Sequence, residues 1–170
     1  LMSETIVLTA PPVSAKTPRK RPSVKASPAS VYAKVYLAAP VLRVELIRKG
    51  VSVVTLHQTI KEMGLTNEQT FQMLKLPRST IGKKMAAKKT LTTEQSERFI
   101  GLQRLIGQVE LMVQQSGAPT GFDAAKWVAQ WLEQPSAALG GKRPADFMDT
   151  VQGQVIVSDL LAQMQSGAYA

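Results

Sequence analysis

The stretch Leu76-Pro77-Arg78-Ser79-Thr80-Ile81-Gly82-Lys83-Lys84-Met85-Ala86-Ala87-Lys88-Lys89 decides how this chain is read. Proline has a fixed φ and no backbone N–H, so Pro77 cannot lie inside a helix but is well suited to starting one. Ile81 and Met85 give the following helix one narrow apolar stripe. The remaining surface is basic and polar: between Lys75 and Lys89 there are six Lys or Arg and no acid. Upstream, Val53, Leu56, Ile60 and Met63 recur at helical spacing and Gly64 supplies a stop, so a helix runs from about Ser52 to Met63. Thr66-Asn67-Glu68-Gln69 reads as a capping box, opening a second helix that carries Phe71 and Leu74 inward. Two short helices joined by a tight turn, the second basic on its outer face, describe a helix-turn-helix whose second helix fits the major groove of DNA. The turn position often held by glycine is Lys75, which predicts a non-standard turn.

Within the second helix the residue types divide by chemistry. Arg78, Ser79 and Thr80 stand at its N-terminal end, where base edges are met. Arg can bridge two acceptors on guanine, whereas hydroxyls serve bases or phosphates. Lys83, Lys84, Lys88 and Lys89 suit phosphate contacts, which add affinity and salt dependence with little sequence preference. The plainer alternative is a solvated helix face.

Downstream, Thr92 and Gln95 repeat the capping pattern, and Phe99, Leu102, Ile106, Val109 and Val113 alternate three and four apart up to Ser116-Gly117. That seam either packs within its own domain or pairs two copies of the chain. Ser30 to Lys49 is apolar enough to pack, but Pro40 divides it into two short helical pieces. Pro11 to Pro28 mixes five prolines with Ser, Lys and Arg and buries too little to offset its ordering entropy. It reads as a flexible basic arm that either adds phosphate contacts or solubilises the chain. Beyond a linker from Pro119 to Gly121, Asp123 caps a helix with Ala124, Trp127, Val128 and Trp131 on its apolar face, stopped by Pro135. A single turn around Phe147 follows, then a helix from about Val151 to Gln165 with Val155, Leu161 and Met164 inward, ended by Gly167. No strand pattern of convincing length follows Gly50, so the expected fold is all-α. Its parts are a flexible basic Pro-rich arm (1–29), a helical domain with the helix-turn-helix (30–117) and a small C-terminal helical domain (118–170).

Composition narrows the function. The net charge is +9, but it is unevenly spread: residues 1–49 hold nine Lys or Arg against two acids, residues 116–170 three against five. A basic front suits a polyanion and an acidic rear some other partner. With no cysteine there is neither a disulfide nor a thiolate metal site, and His57 alone cannot build a His cluster or supply the usual nucleophile triads. Gly140-Gly141-Lys142 lacks the preceding strand and spacing of a phosphate loop, and Asp146 with Asp149 reads as capping and solvation around Phe147. No catalysis, no metal and no cofactor are expected. There is no basic leader and no run of about 18 apolar residues, so a cytoplasmic protein without membrane association is expected.

The rear of the chain carries a resemblance. Trp131-Leu132, Pro135, Ala138-Leu139-Gly140-Gly141-Lys142-Arg143-Pro144 and Phe147-Met148, followed by a helix ending in Gly167-Ala168-Tyr169-Ala170, resemble the toxin-binding domain of Xre-type antitoxins, which pair with RES-domain toxins. Leu76-Pro77-Arg78-Ser79-Thr80-Ile81 and Leu91-Thr92-Thr93-Glu94-Gln95-Ser96-Glu97-Arg98 resemble the same family's helix-turn-helix and the start of its next helix, so the likeness spans residues 50–170. It implies a homodimer that binds its own promoter DNA as an autorepressor and holds a cognate RES-domain toxin, an enzyme that depletes NAD, inactive. By the same carry-over Gly167, Ala168, Tyr169 and Ala170 lie at the toxin's active-site cleft, where a free carboxylate excludes substrate. Gly140, Gly141, Lys142 and Arg143 shape the supporting loop, although the glycines equally permit a tight turn for its own sake. Trp127 and Trp131 are either core or an anchor for the partner. Two rival readings stand beside this one: a stand-alone helix-turn-helix transcriptional regulator with a C-terminal effector or partner domain, and an RNA-binding accessory protein using the basic arm.

Overall fold

A computed structural model describes residues 29–117 and 121–167. Most of the arm, the residues 118–120 and the tail Ala168-Tyr169-Ala170 lie outside the described residues. Among those described the fold is all-α, with one antiparallel bridge between Ser52 and Thr90 and no strand.

Local chemistry sets the elements in chain order. Ser30 caps α1 (Val31–Leu37), and Pro40 takes the first position of α2 (Pro40–Lys49), so the proline separates two helices as the sequence predicts. Ser52 caps α3 (Val53–Met63), which Gly64 ends in the left-handed region at φ 69°. Complete capping boxes open α4 (Asn67–Met73) at Thr66 and Gln69, and α6 (Thr93–Gln115) at Thr92 and Gln95. Between them lies α5 (Arg78–Ala86), entered through Pro77. Asp123 caps α7 (Ala124–Leu132), two short 3-10 turns cover Ala137–Leu139 and Pro144–Phe147, and Thr150 caps α8 (Val151–Ser166), ended by Gly167. Each such cap satisfies a free amide and stabilises its helix by about 1 kcal/mol.

Helix α6 is the spine. The seam predicted from its spacing packs within the chain, with Phe99, Leu102 and Ile106 at 0% exposure, Val109 at 2% and Val113 half-buried at its end. The other faces are buried too, at Ile100, Gln103, Gly107 and Gln108, because α1, α2, α7 and α8 all pack against α6. Helix α8 runs beside α6 in the same direction: Gln154 donates to the Arg98 carbonyl at 2.9 Å, Gln108 donates to the Ser158 carbonyl at 3.0 Å, and Gln165 donates to Gln115 at 3.0 Å.

Two glycines make that close packing possible. A Cβ at Gly107 would lie 2.2 Å from the Tyr32 carbonyl oxygen of α1, and one at Gly101 would lie 1.7 Å from Oε1 of Gln154. The same logic corrects the phase expected for α8. Gly153 abuts the Phe147 carbonyl, 2.0 Å from where its Cβ would be, so the inward residues are Gly153, Gln154, Val157, Leu160 and Leu161. Val155 and Met164, expected inside, are 45% and 40% exposed, whereas Leu161 is buried as expected. Helix α2 is the opposite of α6: none of its residues is buried, and Val41 and Leu42 stand 67% and 57% exposed.

Gly107→Ala is expected to destabilise the protein by about 1–3 kcal/mol in urea unfolding, because the backbone it meets cannot move aside. Gly82→Ala has the opposite sign, a gain of about 0.5–1 kcal/mol, since nothing lies within 4 Å of its Cβ position.

Candidate functional site

The helix-turn-helix is built from α4, the turn Leu74-Lys75-Leu76 and α5. Leu74 and Leu76 are buried, and the Leu76 amide donates to the Phe71 carbonyl at 2.8 Å, closing the end of α4. Between them Lys75 adopts φ 48°, the left-handed conformation that glycine takes freely and lysine at a cost of about 1 kcal/mol. The turn therefore keeps the left-handed geometry a glycine would give it, with a lysine in its place, so it departs from the usual pattern in residue type and not in backbone form.

On α5, Ile81 is buried at 2% and Met85 is packed against the core. Ser79, Gly82, Lys83 and Ala86 form the exposed strip opposite, with Arg78 at its leading end. Thr80 is half-buried on the flank, and Lys84 leans back toward Gln95, 3.5 Å from its Oε1. Lys88 and Lys89 lie beyond the helix. Lys88 takes φ 51°, the Lys89 amide returns to the Lys84 carbonyl at 2.9 Å, and the Lys89 carbonyl accepts from Val53 at 3.2 Å. The structure therefore sets Ser79 and Lys83 on the exposed strip and Arg78 at the start of the helix, all three lining one groove, with Thr80, Lys84, Lys88 and Lys89 around its margin.

Three features here escape sequence reasoning. Glu68 of α4 holds the Arg78 guanidinium at 3.0 Å, although both side chains are largely exposed. They stand at the rim of a groove of about 1060 Å³ floored by Leu56, Ile60, Phe71, Ile81 and Met85. Gly82 leaves the outer strip bare at its centre, so an approaching surface meets backbone there. Arg98 of α6 donates to the Leu74 carbonyl at 2.8 Å and to that of Lys75 at 3.4 Å, fastening the turn from behind.

In the rear module Gly140 and Gly141 sit at φ 64° and 81° with nothing near their Cβ positions, so the turn itself requires them. The loop closes where the Ser136 amide donates to the Lys142 carbonyl at 3.0 Å and Gly141 donates to Ser136 at 2.9 Å. Arg143 staples it, reaching Glu133 at 2.6 Å and Asp146 at 2.7 Å. The hydrogen bond with Asp146, then the charges of Glu133 and Asp146, raise the arginine above its ordinary pKa; the same hydrogen bond holds the Asp146 carboxyl below the usual range. Trp127 and Trp131 are half-buried and stacked, ring centroids 5.9 Å apart, with Phe122 tilted against Trp127 at 6.4 Å. Gly167 caps α8 at φ 70°.

Residues 42–104 match the family described as the antitoxin Xre-like helix-turn-helix domain, and residues 121–167 match the antitoxin Xre/MbcA/ParS C-terminal toxin-binding domain. A relative from Sphingobium sp. (strain YBL2), named Prs ADP-ribosylating antitoxin, is 43% identical over 155 residues, covering 91% of this chain and 98% of its own length. The chain belongs to the Xre/MbcA/ParS antitoxin family. In antitoxin terms the first match contains α3 to α5 and the first part of α6, and the second contains α7 and α8 with the stapled loop between them.

Proposed function

We propose that this antitoxin restrains a RES-domain, NAD-consuming toxin with its C-terminal module and represses its own promoter through α5. One observation carries the reading: a helix with no acidic residue presents Ser79, Gly82 and Lys83 outward, behind Arg78, in the same chain as a module matched to toxin binding. The relative's name joins an antitoxin to ADP-ribosylation. That reaction, like NAD hydrolysis, breaks the nicotinamide–ribose bond, so both consume the same dinucleotide. The antitoxin performs no chemistry of its own in this scheme. Residues after Gly167 enter the toxin's cleft and exclude NAD, with Gly140, Gly141, Lys142 and Arg143 supporting them from the stapled loop. The action is cytoplasmic, where promoter and dinucleotide are both found.

At the promoter Arg78 exchanges Glu68 for a guanine edge, while Lys83, and beside it Lys84, Lys88 and Lys89, meet phosphates. Ser79 and Thr80 supply hydroxyls at the groove. Binding occurs as a homodimer, as two half-sites require. The exposed apolar row of Leu37, Val41, Leu42 and Val44 on α1 and α2 supports pairing there, because a helix that buries none of its own residues gains most from being covered by a second copy.

Co-expression with the product of the neighbouring gene, followed by purification through one partner only, tests the toxin reading. The complex is expected to co-elute with NAD consumption suppressed, and deletion of Ala168-Tyr169-Ala170 is expected to restore NAD loss while leaving DNA binding intact. Failure to capture the neighbour-encoded polypeptide would sink it.

In mobility shifts on the upstream region, Arg78→Ala is expected to cost about 1–3 kcal/mol and relax base preference, whereas Lys83→Ala weakens every duplex alike and lessens the salt slope by about one. Glu68→Gln frees the arginine and removes a negative charge beside the phosphates, so it tightens binding. Unchanged binding in all three variants would rule out α5 as the reader.

Val41→Glu combined with Leu42→Glu is expected to halve the mass seen by light scattering without lowering the thermal midpoint. An unaltered dimer would place the interface elsewhere.

A further inference from the structure

The turn that aims α5 is held from the C-terminal module. Lys75 occupies the position where glycine would adopt the left-handed conformation freely, and its Nζ reaches Asp149 at 2.6 Å, just ahead of α8. Glycine could fill the turn but could not make that reach. Asp149 is 21% exposed and Lys75 is 73% exposed, so the acid is the anchored partner and the lysine is the arm. A second tie runs deeper. Gln154 of α8, 7% exposed, donates to the carbonyls of Met148 at 3.0 Å and Arg98 at 2.9 Å. Its amide fits only because Gly101 has no Cβ. The Arg98 thus seated by its backbone extends its own side chain to the carbonyls of Leu74 and Lys75. Both ties converge on the Leu74-Lys75 turn and meet at Lys75, with Leu76 and Pro77 leading from it to the first residue of α5.

We infer that Asp149 and Gln154, though they belong to the toxin-binding module, are positioning residues for the DNA reader. They fix the Leu74-Lys75 turn and with it the angle at which Arg78, Ser79 and Lys83 are presented. The inference rests on α5 being the reader, as proposed above. Neither residue needs to touch DNA. Loosening either end lets α5 rotate about the turn, which lowers affinity for the matched site more than for arbitrary duplex, since base contacts depend on alignment and phosphate contacts tolerate its loss.

The charge of Asp149 makes the test decisive. By simple electrostatics, removing an acid from a DNA-binding protein strengthens its binding to every duplex. The positioning role predicts the reverse for the matched site. Full-length parent, Asp149→Asn, Asp149→Glu, Gln154→Ala and Arg78→Ala are titrated against a labelled duplex of the chain's own upstream region and a scrambled duplex of equal composition, at several salt concentrations. Asp149→Asn is expected to bind the upstream duplex about two- to five-fold more weakly, the scale of one ion pair. The scrambled duplex binds as well or better, and the salt slope stays at the parental value. Asp149→Glu keeps the ion pair and retains the parental ratio of the two affinities. Gln154→Ala lowers that ratio further, its thermal midpoint being measured beside it; should it fail to fold, Asp149→Asn alone decides. A ratio unchanged or increased in Asp149→Asn, while Arg78→Ala lowers it, overturns the positioning role and leaves the reader standing. A parent with no preference between the duplexes, or an Arg78→Ala variant with the parental ratio, overturns the reader and this inference with it.

Discussion

Without a Cβ at Gly107 the Tyr32 carbonyl rests directly on α6, and without one at Gly101 the Gln154 amide does so from the far end of the chain. These two close approaches let one 23-residue helix serve as the wall of two modules at once. The helix-turn-helix is fastened to the start of that wall: the Val51 amide donates to Ser96 at 2.9 Å, and the Leu91 amide to the Val51 carbonyl at 2.7 Å. Were either approach lost, α6 would still be helical, but the elements from the chain's two ends would no longer meet on it.

Apolar burial supplies most of the driving force here, yet burial is non-directional and cannot by itself choose a register. Hydrogen bonds do. Gln154 at one level and the reciprocal pair of Gln108 and Ser158 at another, with Ser158 donating at 2.8 Å, pin α8 against α6 at two points one turn apart on α8. A slip along the helix would leave buried amides unpaired at about 1–3 kcal/mol each. No buried side-chain N or O lacks a partner among the described residues, so the present register is the satisfied one.

What was legible in the sequence follows from which rules are local. Pro40, the boxes at Thr66 and Thr92, Asp123, Gly64 and Gly167 act within four residues of themselves, and each helix boundary they signal is where the structure has it. The seam on α6 was visible for the same reason. The phase of α8 was not. Its spacing allowed Val155 and Met164 to face inward, and only the approach of Phe147 to Gly153 turns them out. At the candidate reader, spacing found the helix and its basic side chains, but Lys84 leans to Gln95 and Arg78 to Glu68 because of neighbours contributed by α6 and α4. No pattern along α5 contains those partners.

Local rules yield mainly around α5. Lys75 before it and Lys88 after it are the non-glycine residues in the left-handed region among those described, and Gly82 weakens its middle. Elsewhere the interior glycines, Gly101 and Gly107 of α6 and Gly153 of α8, are each required by the close approach of a neighbour. Concentrated departures of this kind are expected where function rather than stability sets the residue. The physical consequence is that α5 is short, poorly self-stabilised and held at both ends by groups outside it: Arg98 and Asp149 at the turn, and the Val53 amide on the Lys89 carbonyl at its exit. Its pose is consequently a property of the whole chain. A helix fixed in this way can keep Gly82 bare for close approach, because the stability that the glycine forfeits is supplied by the spine behind it.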